Sequence, residues 1–353
     1  MSQLRKDLVS GRWVIIASER SKRPDDFRPP NNTPQQPSEQ RAFCPFCEAN
    51  ETKTPPEIFS FRKRGTLPDQ PGWRVRVVPN KFPALDRGTP PSKPQRGLFQ
   101  SMPGVGVHEV VIETPDHEKE LSDLPVTQVR EVLLAFQERI KNIEGELQYQ
   151  YVQIFKNKGK EAGASLSHPH SQIVATPIVP KRLKEELYGA ERLHKQFHEC
   201  IFCRMIKEDL EKCHDRLVAK NTHFVALTPF ASRFPFEMGL YPLRHSPHYS
   251  KLTGGELLSM ARILKDILTR LKTVLSDPPF NFIIHQAPNL NLSKKKWPRV
   301  EKSYHWHMEI TPVLTRVAGF ELGTGFYINP VPPETAAKYL RECQPAKSEN
   351  QNS

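Results

Sequence analysis

The chain has no long apolar run. Its most apolar stretches, such as residues 280–284, fall far short of the ~20 residues that a membrane-spanning helix needs. The opening Met1-Ser2-Gln3-Leu4-Arg5-Lys6-Asp7 holds no apolar signal core, so a cytoplasmic address and no membrane partner are expected. An acidic excess is missing too. The 51 Lys and Arg outnumber the 39 Asp and Glu, a net charge of +12, which favours an anionic partner such as a nucleotide, a phosphate ester or nucleic acid. Cysteine is sparse: six in 353 residues, without an export signal, do not read as a disulfide framework. Proline is the exception, at 34 residues, and predicts long irregular connections. Segments 24–42 and 86–100, rich in Pro, Gln, Ser and Asn, read as loops or partly disordered. At ~150 residues per domain, the length suits two domains or one built from two halves.

The order of landmarks is that of an internal repeat. Cys44-Pro45-Phe46-Cys47 is echoed by Cys200-Ile201-Phe202-Cys203. Strand-like runs follow at Trp73–Pro79 and at 223–229. Glu109 precedes His117 by eight residues, and Glu237 precedes His245 by the same step, each across an apolar strand and a proline. Helical periodicity comes next. Val126, Val129, Leu133, Phe136, Ile140 and Ile143 recur at three- and four-residue steps, as do Leu257, Leu258, Ala261, Leu264, Ile267, Leu268 and Leu271. Further strands fall at 149–155 and 280–284, and each half closes on His-x-His: His168-Pro169-His170 and His305-Trp306-His307. The expected fold is α+β, two halves related by internal duplication, each an antiparallel sheet with a packed helix. The expected boundaries are 1–183, 184–345 and a loose tail at 346–353, with the join near 177–195.

Two Cys-x-x-Cys pairs predict metal clips. A redox motif would place one such pair at a helix start after a strand, and the duplication argues against it. Zinc takes Cys sulfur and His nitrogen in a tetrahedron, and four protein ligands make a closed, structural site. The first half offers Cys44, Cys47, His117 and His168; the second offers Cys200, Cys203, His245 and His305. His108 and His248 compete for the third ligand position, although the repeat favours His117 and His245. His285 could also reach the second metal. One or two zinc ions per chain are expected, with iron an option at the second site. Cys213 and Cys343 read as ordinary thiols.

Residues 157–172, Asn-Lys-Gly-Lys-Glu-Ala-Gly-Ala-Ser-Leu-Ser-His-Pro-His-Ser-Gln, are the most informative stretch. A loop rich in Gly, Ser and Asn offers N–H groups and short donors to phosphate oxygens. It leads into a strand, where residues i and i+2 share a face ~6.6 Å apart. His168, His170 and Gln172 therefore point the same way. If a metal holds His168, His170 is aimed at a fixed spot. Imidazole attacks phosphorus well when one nitrogen is unprotonated and the other is hydrogen-bonded. The amide of Gln172 can donate to a phosphoryl oxygen but cannot protonate a leaving group. That favours a trapped covalent phospho-histidine over hydrolysis.

These residues resemble the galactose-1-phosphate uridylyltransferase family of the histidine-triad superfamily. The likeness runs from Trp13-Val14-Ile15-Ile16 to Ala318-Gly319-Phe320-Glu321, and its core is His168-Pro169-His170-Ser171-Gln172. It implies two histidine-triad-like halves in a homodimer. It implies that His170 attacks the α-phosphorus of a nucleoside-diphosphate sugar, that the sugar 1-phosphate leaves, and that a second phosphate takes the nucleotide by ping-pong. Arg20 and Arg23 match phosphate-contacting positions. Asn80, in Val78-Pro79-Asn80-Lys81-Phe82-Pro83, matches the base- and ribose-binding segment. Asn157, Gly163 and Ser165 match the phosphate loop, and Gly319, Phe320 and Glu321 the hexose-binding region. The activity implied first is transfer of uridylyl from UDP-glucose to galactose 1-phosphate, in galactose metabolism. Residues 318–330 resemble instead the branch that includes ADP-glucose phosphorylase, which also carries the second Cys-x-x-Cys and moves adenylyl to phosphate.

Two rivals lie outside this reading. A histidine-triad hydrolase would carry a third His where Gln172 stands. A zinc-stapled nucleic-acid binder is suggested by the net charge and by Lys294-Lys295-Lys296-Trp297, but the basic residues are dispersed and no stacking platform is legible, so no nucleic-acid partner is expected.

Overall fold

The computed structural model describes residues 1–20, 22–27, 43–88, 98–146 and 148–343. The predicted tail lies outside the described residues, as does most of each Pro-rich segment. The chain begins with β1 (Gln3–Lys6), β2 (Trp13–Ile16), β3 (Phe59–Arg62), β4 (Trp73–Pro79) and β5 (Val107–Ile112). Helix α1 (Val126–Gly145) leads into β6 (Tyr151–Lys158) and β7 (His170–Thr176). Helices α2 (Lys181–Phe197) and α3 (Ile201–Glu211) occupy the join. Then come β8 (Leu217–Lys220), β9 (Phe224–Leu227), β10 (Met238–Pro242), α4 (Gly254–Leu275), β11 (Phe280–His285), β12 (His307–Pro312), β13 (Tyr327–Asn329) and α5 (Pro333–Glu342).

The helices form where the apolar spacing demands. On α1, Val129, Leu133, Phe136, Ile140 and Ile143 make one stripe, each at most 1% exposed. Pro125 stands just before α1 and starts it without a side-chain cap. Helix α4 starts at a capping box. Thr253 N–H donates to Glu256 Oε2 at 2.8 Å, and the Thr253 hydroxyl accepts from Glu256 N–H at 3.3 Å, worth about 1 kcal/mol. Both helices lie on one face of the sheet, over Val75, Val77, Val111, Ile154, Ile173, Phe282, Ile284, Met308 and Ile310.

The two expected antiparallel sheets join edge to edge. The strand order is β3-β4-β5-β7-β6-β11-β12-β10-β9-β8, antiparallel throughout. The seam is β6 against β11, from Ile154↔Ile284 to Phe280↔Lys158. Pairing these two edges removes a row of unsatisfied N–H and C=O groups from each half. A smaller sheet, β1-β2-β13, ties the two ends of the chain together, with β13 parallel to β2.

Residues directly opposite across a ladder share a face. Ile112↔His170, Val110↔Gln172, Gln172↔Phe155, Phe155↔Ile283 and Ile283↔Glu309 therefore put His170, Gln172, His307 and Glu309 on the face away from α1 and α4. The matched glutamates lie buried in ion pairs, Glu109 on Arg139 of α1 at 2.7 Å and Glu237 on Arg233 at 2.5 Å.

Candidate active site and metal centres

Cys44 and Cys47 flank a tight turn, with Cys47 N–H donating to Cys44 O at 3.4 Å. His117 comes from the loop after β5, and His168 stands just before β7. The thiol and imidazole atoms of Cys44, Cys47, His117 and His168 all lie within 4.8 Å of one another. Sulfur to Nδ1 separations are 3.7 Å for Cys44–His168, 3.6 Å for Cys47–His168 and 3.3 Å for Cys47–His117. Neighbouring ligands on a tetrahedral zinc, with bonds of about 2.3 and 2.0–2.1 Å, stand about 3.5 Å apart. The outer nitrogens are also spoken for. His168 Nε2 donates to Thr114 O at 2.8 Å, and His117 Nε2 lies 2.9 Å from Ser167 Oγ. His168 thus carries its proton outward and turns the Nδ1 lone pair towards the sulfurs, the arrangement a metal needs. Burial holds the His168 pKa down to about 4, so it stays neutral.

The second half repeats the arrangement. Cys203 Sγ lies 3.5 Å from His245 Nδ1 and 3.4 Å from His305 Nδ1, with Cys200 in the same group. His305 Nε2 donates to Pro242 O and His245 Nε2 to Glu301 O, both at 3.0 Å. Both donor sets, two thiols and two outward-anchored imidazoles, fit a four-coordinate metal with no open position. The three competing histidines stand elsewhere. His108 meets Gln172, and His248 meets Glu144 at 2.9 Å. His285 joins Glu186 and His307 in a separate buried group.

His170 begins β7. Its Nδ1 donates to the carbonyl of His168 at 2.8 Å, which leaves the lone pair on Nε2. Burial lowers its pKa, so the ring is neutral at physiological pH. Phe46, from inside the first Cys-x-x-Cys turn, packs edge-on against it with centroids 5.2 Å apart. The first Cys-x-x-Cys turn and His170 are thus in direct contact. A cavity of about 1350 Å³ opens beside this segment, lined by Lys156, Asn157, Lys158, Ser165, His168 and Pro169. Its loop is shaped by two left-handed glycines, Gly159 at φ 84° and Gly163 at φ 90°. A Cβ on Gly159 would meet Pro279 at 2.9 Å. Asn281 Nδ2 donates to Asn157 Oδ1 and to the carbonyl of Ala162, both at 2.8 Å, which couples the loop to β11.

The structure therefore brings His170, Gln172, Asn80, Asn157, Gly163 and Ser165 into one region. Arg20 and Arg23 are exposed near the ends of short 3-10 turns. Gly319, Phe320 and Glu321 lie in a short helix with no buried residue.

In the second half, His307 repeats the geometry of His170, with Nδ1 3.1 Å from the carbonyl of His305. Its surroundings differ. Tyr241 and His285 stack on it, centroids 5.4 and 5.0 Å away. In place of Gln172 stands Glu309, paired with Arg233 at 2.7 Å, Arg182 at 2.9 Å and His285 at 3.4 Å. Glu309 is thus held by three basic partners, whereas Gln172 is a neutral amide.

Two buried polar clusters escaped the sequence. Lys156, 1% exposed, reaches Glu113 at 2.7 Å and Glu120 at 3.0 Å, and Ser171 donates to Glu113 at 2.5 Å. Glu186 joins His285 at 3.0 Å and Tyr304 at 2.9 Å. Their members are far apart in the chain, 43 positions for Glu113 and Lys156 and 99 for Glu186 and His285.

A neutral histidine aimed from a rigid strand, beside a donor-rich loop, is the equipment of a nucleotidyltransferase, and comparison with known proteins defines that class. The family model for galactose-1-phosphate uridyl transferase, N-terminal domain, matches residues 1–180. A model for a domain of unknown function (DUF4921) matches residues 137–350. ADP-glucose phosphorylase of Arabidopsis thaliana is 38% identical over 343 residues, 96% of this chain and 92% of that protein. Galactose-1-phosphate uridylyltransferase of Thermotoga maritima is 30% identical over 352 residues, 98% of this chain and 99% of that one. The crystal structure of the Arabidopsis ADP-glucose phosphorylase with bound ADP-glucose superposes with a TM-score of 0.80 at 34% identity, covering 98% of this chain and all of that one (100%). The chain belongs to the galactose-1-phosphate uridylyltransferase family, with features of its ADP-glucose phosphorylase-like branch. Among the described residues, no helix is long and apolar enough to cross a membrane.

Proposed function

We propose that this chain transfers a nucleotidyl group from ADP-glucose to inorganic phosphate through a covalent adenylyl-His170. The observation that carries the mechanism is the hydrogen bond from His170 Nδ1 to the His168 carbonyl, which leaves Nε2 as the nucleophile. Nε2 attacks the α-phosphorus; the P–N bond forms as the P–O bond to glucose 1-phosphate breaks. A phosphate oxygen then attacks the same phosphorus, the P–N bond breaks, and ADP leaves. Gln172 donates to the phosphoryl oxygens and has no proton to give to a leaving group. Zinc held by Cys44, Cys47, His117 and His168 would supply structural closure. Cys200, Cys203, His245 and His305 would hold a second ion, zinc by the softness of the donors.

The adenylyl reading is favoured by the 38% identity to the Arabidopsis phosphorylase. A second reading, uridylyl transfer from UDP-glucose to a hexose 1-phosphate, is favoured by the family model over residues 1–180. One experiment separates them. The protein is incubated with each nucleotide sugar alone, and the intact mass of the adduct is measured. It is then chased with phosphate or galactose 1-phosphate. An adenylyl adduct released by phosphate supports the first reading; a uridylyl adduct released by the hexose phosphate supports the second. No adduct with either donor overturns both. Arg20 and Arg23 as phosphate contacts, Asn80 at the base and ribose, and Gly319–Glu321 at the hexose belong to the same proposal, as do a cytoplasmic address and a homodimer.

A further inference from the structure

His108 stands on β5, diagonal to Gln172 across the β5–β7 ladder, where Val110↔Gln172 and His108↔Val174 are paired. Diagonal neighbours on one face lie within reach of long side chains. The backbone N–H of Ala84 donates to His108 Nδ1 at 3.1 Å. A backbone amide cannot be reversed, so the lone pair sits on Nδ1 and the proton on Nε2. That Nε2 lies 2.8 Å from Gln172 Oε1 and donates to it. The backbone N–H of Asn80 also donates to the backbone carbonyl of His108 at 2.8 Å. Asn80 Oδ1 accepts from Phe82 N–H at 2.9 Å, and its Nδ2 lies 3.1 Å from the same ring nitrogen.

We propose that His108 is a positioning residue that sets the amide orientation of Gln172, so that Gln172 presents only N–H donors to the phosphoryl group on His170. The inference rests on the nucleophile reading above and deepens it. An amide has two faces of opposite polarity. With its carbonyl occupied by His108, Gln172 turns its NH2 towards the ligand. Without that bond the amide is free to flip, and its oxygen faces an anionic phosphoryl group in part of the population. Losing one preorganised donor at such a site costs about 10²–10³ in rate, and losing only its orientation a fraction of that.

The test compares His108→Phe, His108→Gln and Gln172→Ala in the full-length, metal-loaded protein. The readout is the single-turnover rate of adduct formation on His170 with ADP-glucose, and with UDP-glucose in parallel. Phenylalanine keeps the ring volume and removes the donor; it is expected to slow adduct formation about 10- to 100-fold, with nucleotide-sugar affinity changed less than threefold. Glutamine places an N–H donor where Nε2 was and is expected to restore most of the rate. In a Gln172→Ala background, His108→Phe is expected to have no further effect. An equal loss in both backgrounds, or an unchanged rate in His108→Phe, overturns the proposal. If His108→Phe does not fold, His108→Ala is compared in the same two backgrounds. Absence of any adduct in the wild-type protein overturns the nucleophile reading itself, whereas a wild-type adduct with additive losses overturns only the role of His108.

Discussion

Replacing Lys156 tests how the nucleophile strand is supported from behind. Lys156 Nζ sits 2.7 Å from Glu113 and 3.0 Å from Glu120, with Lys156 1%, Glu113 0% and Glu120 14% exposed. Ser171, between His170 and Gln172, donates to Glu113 at 2.5 Å from the opposite side of the strand. The cluster holds two carboxylates and one ammonium. Removing the ammonium in Lys156→Met leaves two like charges buried together. Removing one carboxylate in Glu113→Gln leaves a one-to-one pair, and the glutamine oxygen can still accept from Ser171. Breaking a buried pair by deleting one partner costs about 3–5 kcal/mol, the value expected for Lys156→Met. Glu113→Gln loses one charge-assisted hydrogen bond and is expected to cost about 1.5–3 kcal/mol.

The order of the two variants, read from urea unfolding of metal-loaded protein at pH 7.5, is the decisive quantity. Burial pushes the Glu113 carboxyl above its ordinary pKa, and the two carboxylates hold Lys156 protonated. In Lys156→Met the raised Glu113 pKa means that the folded state is penalised while Glu113 is ionised. The deficit is therefore present at neutral pH and shrinks as the pH falls through that raised value. A Glu113→Gln variant as unstable as Lys156→Met, or a Lys156→Met deficit that grows towards acid, would refute the charge count.

Chelation of both metals is expected to lower the thermal midpoint before or together with activity, because four protein ligands leave no position for substrate; activity lost at an unchanged midpoint contradicts this. His170→Gly is expected to lose turnover of intact nucleotide sugars while keeping its fold and metals, and to regain transfer when given a preformed nucleotidyl-imidazolide. His168→Gly is expected to lose metal and fail that rescue; retained activity in His170→Gly ends the assignment. Gln172→His is expected to raise the ratio of hydrolysis to transfer, because a titratable ring can protonate a leaving group; an unchanged ratio measured with labelled nucleotide counts against it. For His285, burial lowers the pKa, but Glu186 and Glu309 outweigh it and raise it from 6.5 to about 10. Its contribution to stability is thus full below pH 6.5 and lost as the pH rises to about 10. The stability gap between wild type and His285→Gln, followed by chemical unfolding, should narrow over that range, and a constant gap would be the contrary result.

Periodicity and spacing were enough to place α1, α4 and most strands, because each buries one stripe or one face and its apolar residues must recur at that period. The same logic named His168, His170 and Gln172, since strand alternation is a local property. It also named both Cys-x-x-Cys pairs, of which the first spans a turn and the second opens α3, with Cys200 at its N-cap. The repeat pointed to His117 and His245 over His108 and His248, and the fold brings those two, rather than their competitors, beside the thiols.

Tertiary structure alone decided what depends on register and on distant partners. The seam between β6 and β11 makes one sheet of two, and no local pattern encodes which edges meet. Glu113 reaches Lys156 across 43 positions and Glu186 reaches His285 across 99, separations over which sequence carries no geometric information. The different surroundings of His170 and His307 also arise there. Both are second in a His-x-His and both donate Nδ1 to a backbone carbonyl. What separates them is that packing leaves a neutral amide beside one, while the other lies stacked between Tyr241 and His285 beside a carboxylate already held by two arginines.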